Sequence, residues 1–199
     1  MRDYLYLWHQ PSRQRIVFSG LEFRDILPAI EACDVLLLLR SEYGDAEHDR
    51  ASGFDFVHAE DLTDLANDDI DGYGDFCWVD VHGGADFSSL IDESIAEATF
   101  FAHTRRPLRN VSIPGLSNSL LWWSHDGAWY VSLFYSQWQV VESTLRSLLS
   151  SFVSRDEVES HVRRFVHEEG AWWCQPGAVA SCEATEDIDA LLARRRPRS

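Results

Sequence analysis

Leu120-Leu121-Trp122-Trp123-Ser124-His125-Asp126-Gly127-Ala128-Trp129-Tyr130-Val131-Ser132-Leu133-Phe134-Tyr135 decides the fold. Two runs rich in aromatic and β-branched residues flank an Asp-Gly pair, the strongest short-range signal for a β-hairpin. The bulky side chains exceed what one hairpin can bury, so the rest of the chain must pack against it. We therefore expect a hairpin at about residues 119–135 at the centre of the molecule.

Outward from that hairpin, periodicity of 2 alternates with periodicity of 3.6. Residues 3–8 read as a strand, His9-Gln10-Pro11-Ser12 as a turn, and residues 13–18 as the returning strand, with Gly20 ending it. A short helix follows, its start predicted near Asp25 so that Pro28 falls in the first turn, where a missing N–H is harmless. Val35 to Leu39 is aliphatic throughout and predicts a central strand; residues 54–57 give another, and residues 60–67 a helix of one or two turns. Phe76 to Val81 alternates, and Cys77, Val79 and Val81 are the better core face, with Phe76, Trp78 and Asp80 opposite. Longer helices are predicted over 88–103, 139–152 and 158–167, the last opened by the capping box Ser154-Arg155-Asp156-Glu157. Residues 171–174 form the last expected strand, followed by a short helix over 185–194. Hairpins mixed with helices specify an α+β fold with a mainly antiparallel sheet and packed helices. Residues 1–193 form the expected single domain, and 194–199 a basic tail.

Charge is distributed unevenly. The 199 residues carry a formal net charge of −16. Between Glu42 and Glu97 stand 17 acidic residues and one arginine, a balance of −16, so the remainder is neutral. Such a block repels nucleic acid and anionic membrane and attracts cationic partners. All 17 basic residues are arginine, which fits a GC-rich bacterial coding bias. No apolar run reaches the roughly 18–20 residues of a membrane helix, and no signal peptide opens the chain, so the expected state is soluble and cytoplasmic. Cys33, Cys77, Cys174 and Cys182 have no CxxC spacing and read as reduced structural thiols.

No motif in the chain fixes a chemistry. An EF-hand begun at Asp69 meets Tyr73 at its fifth position, and one begun at Asn67 meets Trp78 at its twelfth; neither frame supplies the ligands. The eight histidines form no HxxxH or H-E-x-x-H pattern, so no metal and no cofactor is expected. Ser124-His125-Asp126 holds the residue types of a catalytic triad, but neighbours on a tight turn cannot reach one another in triad geometry. Gly83-Gly84 lies between strand and helix signals without a phosphate-loop pattern, and the acids around it oppose an anion.

Trp8-His9-Gln10-Pro11, the run Ile16 to Phe23 and the run Gly74 to Asp80 resemble segments of a loosely defined group of bacterial proteins of similar length. The resemblance spans the first half of the chain and implies no activity and no functional residue. In general character the chain is also similar to the acidic immunity proteins that neutralise cationic toxins. The leading expectation is accordingly a non-enzymatic inhibitor of immunity or antitoxin type, meeting a basic protein partner through Asp68, Asp69, Asp71, Tyr73 and Asp75. The alternative is a small-molecule-binding enzyme or accessory protein with a tryptophan-lined pocket at Trp122, His125 and Trp129.

Overall fold

The computed structural model describes residues 3–30, 33–40, 54–67, 76–83, 115–125 and 130–182. Their strands are β1 (Leu5–Gln10), β2 (Arg15–Ser19), β3 (Val35–Arg40), β4 (Phe54–His58), β5 (Phe76–Val81), β6 (Leu120–His125), β7 (Tyr130–Tyr135), β8 (Gly170–Gln175) and β9 (Ala178–Cys182). The helices are α1 (Phe23–Ile30), α2 (Leu62–Asn67), α3 (Trp138–Ser150) and α4 (Arg155–His167). All nine strands join one sheet in the order β4-β3-β5-β6-β7-β2-β1-β8-β9, and each neighbouring pair is antiparallel. The fold is α+β, as its hairpins and helical periods require.

The central hairpin forms as expected, with Leu120 opposite Tyr135 and His125 opposite Tyr130. It is extended on both sides: β5 pairs with β6, and β2 pairs with β7. Alternation sends Leu120, Trp122, Val131, Leu133 and Tyr135 into the larger core, shared with Leu5, Leu7, Phe18, Leu36, Leu38 and Trp172. The described helices close that core with Phe23, Ile26, Leu62, Leu145, Leu149, Val162 and Phe165. At its centre Trp78 and Trp122, directly opposite in register, stack at 5.4 Å between ring centroids and 17° between planes. Phe23 of α1 presents its edge to both, at 5.8 and 6.4 Å.

The opposite sheet face is buried as well. Tyr6, Trp8, Val17, Ala171 and Trp173 form a second cluster, and Leu37, Val79, Leu121 and Trp123 are equally enclosed. This corrects the reading of β5. Cys77, Val79 and Val81 are core residues as expected, but Trp78 and Asp80 on the other face are buried too, at 0% and 1% exposure. Trp123 and Trp173 are less buried than Trp122 and Trp172, yet all four are core residues.

Three local features differ from expectation. His9 and Gln10 belong to β1 rather than to a turn, and a short 3-10 turn at Pro11–Arg13 makes the reversal. Helix α1 begins at Phe23, two residues early, because the Asp25 carboxylate accepts the Glu22 N–H at 2.8 Å and caps the first turn. Pro28 thus sits inside the helix on its exposed side, while Phe23, Ile26 and Ile30 face the core. Strand β9 was not expected; Pro176-Gly177 turns β8 into it, with Gly177 at φ +81° as a tight turn requires. Helix α4 starts where its capping box predicts, Glu157 accepting the Ser154 N–H at 3.0 Å. The helices expected over 88–103 and 185–194 and the basic tail lie outside the described residues.

Truncating Trp122 to Ala removes the stack and opens the core, and is expected to cost about 3–5 kcal/mol. Ser154→Ala is expected to cost about 1 kcal/mol through the lost cap. Urea unfolding monitored by circular dichroism measures both.

Candidate functional site

The acidic block is described in part, and that part sits at one edge of the sheet. β4 pairs with β3 on one side only and is an outermost strand. It forms because Phe56 and Val57 alternate against Leu37 and Leu36 of β3. The chain then turns through Ala59–Asp61 into α2, which buries Leu62 and Leu65 and packs back on β4. Glu60, Asp61 and Asp64 are left exposed, with His58 beside them. Phe56 is 40% exposed and is the one large apolar side chain so exposed among the described residues. Register sets Phe56 beside Leu37 on the sheet face away from α2, so the acids and the ring border the same open edge from its two sides. An exposed aromatic group at an acidic edge can anchor a cationic protein surface, the acids steering its approach.

Of the residues predicted for that surface, Asp68, Asp69, Asp71, Tyr73 and Asp75 lie outside the described residues. They fall between α2 and β5, so the chain that carries them starts from the acidic edge. Sequence reasoning passed over Phe56. Alternation in Phe-Asp-Phe-Val-His places Phe56 on the face opposite Asp55 and Val57, but no local signal marks β4 as an outermost strand.

The residues of the alternative pocket do not assemble from what is described. Trp122 is fully buried within the Trp78–Phe23 cluster. His125 ends β6 opposite Tyr130, and Trp129 lies outside the described residues.

Two buried polar groups shape the region between the sheet and its helices. Asp80 takes the N–H of Leu120 at 2.6 Å and of Ser119 at 3.0 Å on Oδ1, and His82 Nε2 lies 2.9 Å from Oδ2. Burial pushes its carboxyl pKa up, and these hydrogen bonds oppose the rise. The neighbouring Asp34 carboxylate accepts the Gly83 N–H at 2.5 Å. Asp80 thus ties β5 to the start of β6, and Asp34 ties the turn after β5 to the residue before β3. The Cys33 thiol, raised to about 11 by burial and then by the charges of Asp80 and Asp34, stays protonated. Cys174 is raised to about 12 by burial. Both are poor nucleophiles at neutral pH.

His9, 1% exposed, joins β1 to two other elements. Its Nδ1 lies 2.5 Å from the Phe165 carbonyl of α4, and its Nε2 lies 2.7 Å from Tyr135 Oη. The neutral ring satisfies both contacts if Nδ1–H donates to the carbonyl and Nε2 accepts the phenol proton. Burial lowers the His9 pKa, and the carbonyl bond opposes the fall. Tyr135 is pushed up to about 12 by burial, so it remains a donor.

Among the described residues no three His, Cys, Asp or Glu side chains converge as a metal site. No described helix is long and apolar enough to cross a membrane. Set against known proteins, the chain matches no family model, no curated protein and no solved structure.

Asp80→Ala leaves two buried N–H groups without an acceptor and is expected to cost roughly 2–5 kcal/mol, with Asp80→Asn costing less because its carbonyl still accepts them. Denaturant midpoints of the two variants check this order. The His9 linkage has a definite sign. With its folded pKa below the unfolded value of 6.5, its contribution is intact above 6.5 and is lost as pH falls toward the lowered folded value. Urea midpoints of the wild type are expected to drop across that window more steeply than those of His9→Gln.

Proposed function

We propose that this protein is a non-enzymatic binding protein that captures a basic protein partner on its acidic edge, in the manner of an immunity or antitoxin-like inhibitor. The observation that carries the reading is Phe56. It is an exposed aromatic side chain on an outermost strand, inside the segment that holds the whole formal charge of −16. Interfaces draw most of their affinity from a few aromatic anchors, while surrounding charge sets the rate and the choice of partner. Glu60, Asp61 and Asp64 supply such charge at the same sheet edge, and Asp68, Asp69, Asp71 and Asp75 follow them in the chain. Tyr73 is a second aromatic candidate in that stretch. The state of the described thiols agrees with this role, since Cys33 and Cys174 are held in their unreactive protonated form.

The test is affinity capture from the native host's lysate, followed by titration with the purified partner at two salt concentrations. One basic protein, held at low salt and released at high salt, is expected. Phe56→Ala is expected to slow nothing in association but to raise the dissociation rate, weakening binding by about tenfold or more. Changing Asp68, Asp69, Asp71 and Asp75 to Asn is expected to lower the association rate and flatten its salt dependence. A partner that binds these variants as tightly as the wild type, or the lack of any basic partner, removes this reading.

A further inference from the structure

The two outermost strands of the sheet differ in charge. β9 reads Ala-Val-Ala-Ser-Cys and carries none. β4 has β3 on one side and no described strand on the other, so alternate residues along it turn their N–H and C=O groups outward. Unpaired backbone of this kind is a template for another strand, and natural proteins commonly guard it with charge. At β4 the charge is acidic: Glu60, Asp61 and Asp64 stand exposed in the turn and helix that follow the strand. Two copies of such an edge repel each other, whereas a basic strand is drawn in.

The side chains about this edge narrow the choice further. Asp55 and Val57 stand opposite Leu38 and Leu36, which lie in the core closed by the helices, so they share the face of α2. Phe56 stands opposite Leu37 and belongs to the other face. The acids therefore border the edge from one face and the aromatic ring from the other. A partner laid flat on either face reaches only one of them. A strand entering in the plane of the sheet reaches both, because its successive side chains alternate between the faces.

We propose that β4 takes up an extended basic segment of the partner as a further strand of the sheet, with lysine or arginine on the α2 face and apolar residues on the Phe56 face. Such pairing presupposes the capture of a basic protein at the acidic edge and defines how that protein is held. Backbone hydrogen bonds give the added strand its affinity, and the alternation of its side chains gives it specificity. The segment recognised thus alternates basic and apolar residues over the span of β4, which is five residues, or roughly 17 Å at ~3.3 Å each.

The probe is a fluorescein-labelled, seven-residue peptide of alternating arginine and valine, titrated with the full chain and followed by fluorescence anisotropy. Two control peptides keep its residues and charge. One has the arginines in a block; the other is N-methylated at its three central residues, which removes backbone donors from both of its edges. The alternating peptide is expected to bind at low salt and to be released at high salt. Both controls are expected to bind about tenfold or more weakly. Phe56→Ala is expected to weaken the alternating peptide to a similar degree, and Glu60→Gln, Asp61→Asn and Asp64→Asn together to flatten its salt dependence. Hydrogen exchange read by mass spectrometry is expected to slow at residues 54–58 when the peptide is bound, and not at 178–182 on the opposite edge. A blocked or methylated peptide that binds as tightly as the alternating one overturns strand addition while leaving capture of a basic protein by charge in place. Slowing at 178–182 instead of 54–58, or no binding of the alternating peptide at low salt, overturns it as well. The lysate capture, read separately, decides whether a basic partner exists at all.

Discussion

The inner strands of this sheet are buried on both faces and have no solvent side on which to set polar residues, and that constraint governs this molecule. In an antiparallel sheet with one wet face, every second residue can be polar at no cost. Here Leu36 and Leu38 on one face and Val35 and Leu37 on the other are all enclosed. The polar residues that do fall in the interior must then find partners or a purpose. Asp80 and His9 find partners: two backbone amides and a histidine for the first, a carbonyl and a phenol for the second. Arg15 finds only Ser132 and the face of Phe134. Asp80 and His9 thus brace the interior between elements, while Arg15 keeps part of its surface toward solvent.

The same constraint explains the tryptophans. Aromatic side chains supply large buried area per residue, and a wide sheet with two cores needs much of it. Trp78 and Trp122 fill the helix side and stack across β5 and β6. On the far side Trp173 stacks with Tyr4 at 5.1 Å and 4°. Adjacent tryptophans in one strand, as at 122–123 and 172–173, serve a different core each.

Much of the fold was legible because its strongest signals are local. The two strands that flank Asp126-Gly127, the aliphatic run at Val35, the strand at Phe76 and the Ser154–Glu157 cap each rest on signals a few residues long, and each appears in the structure at its expected place. What was not legible depends on partners distant in sequence. His9-Gln10-Pro11-Ser12 has the composition of a turn, but pairing with β2 and β8 keeps His9 extended and pairing with β2 holds Gln10. Asp80 looks like a solvent residue until Ser119 and Leu120 arrive to bind it. Arg15 carries no motif; only the register sets it beside Gln10, Phe134 and Ser132. Phe56 was hidden differently, since nothing in Phe-Asp-Phe-Val-His tells which strand ends up outermost.

Strand order also determines when this chain can become a protein. The hairpin β1–β2 lies inside the sheet, flanked by β7 and β8, whose residues follow it by more than a hundred positions. A nascent chain emerging from the ribosome presents both edges of that hairpin, with Trp8, Phe18 and Val17, long before either neighbour exists. The β3–β4–β5 ladder can close early from its own segment, but it remains a fragment until β6 and β7 bridge it to the first hairpin. Completion of the sheet thus waits for nearly the whole chain, and during that wait the exposed edges of β1 and β2 are open to pairing with other nascent chains. Translation speed and chaperone access across the stretch that ends at β8 are therefore part of what decides its yield.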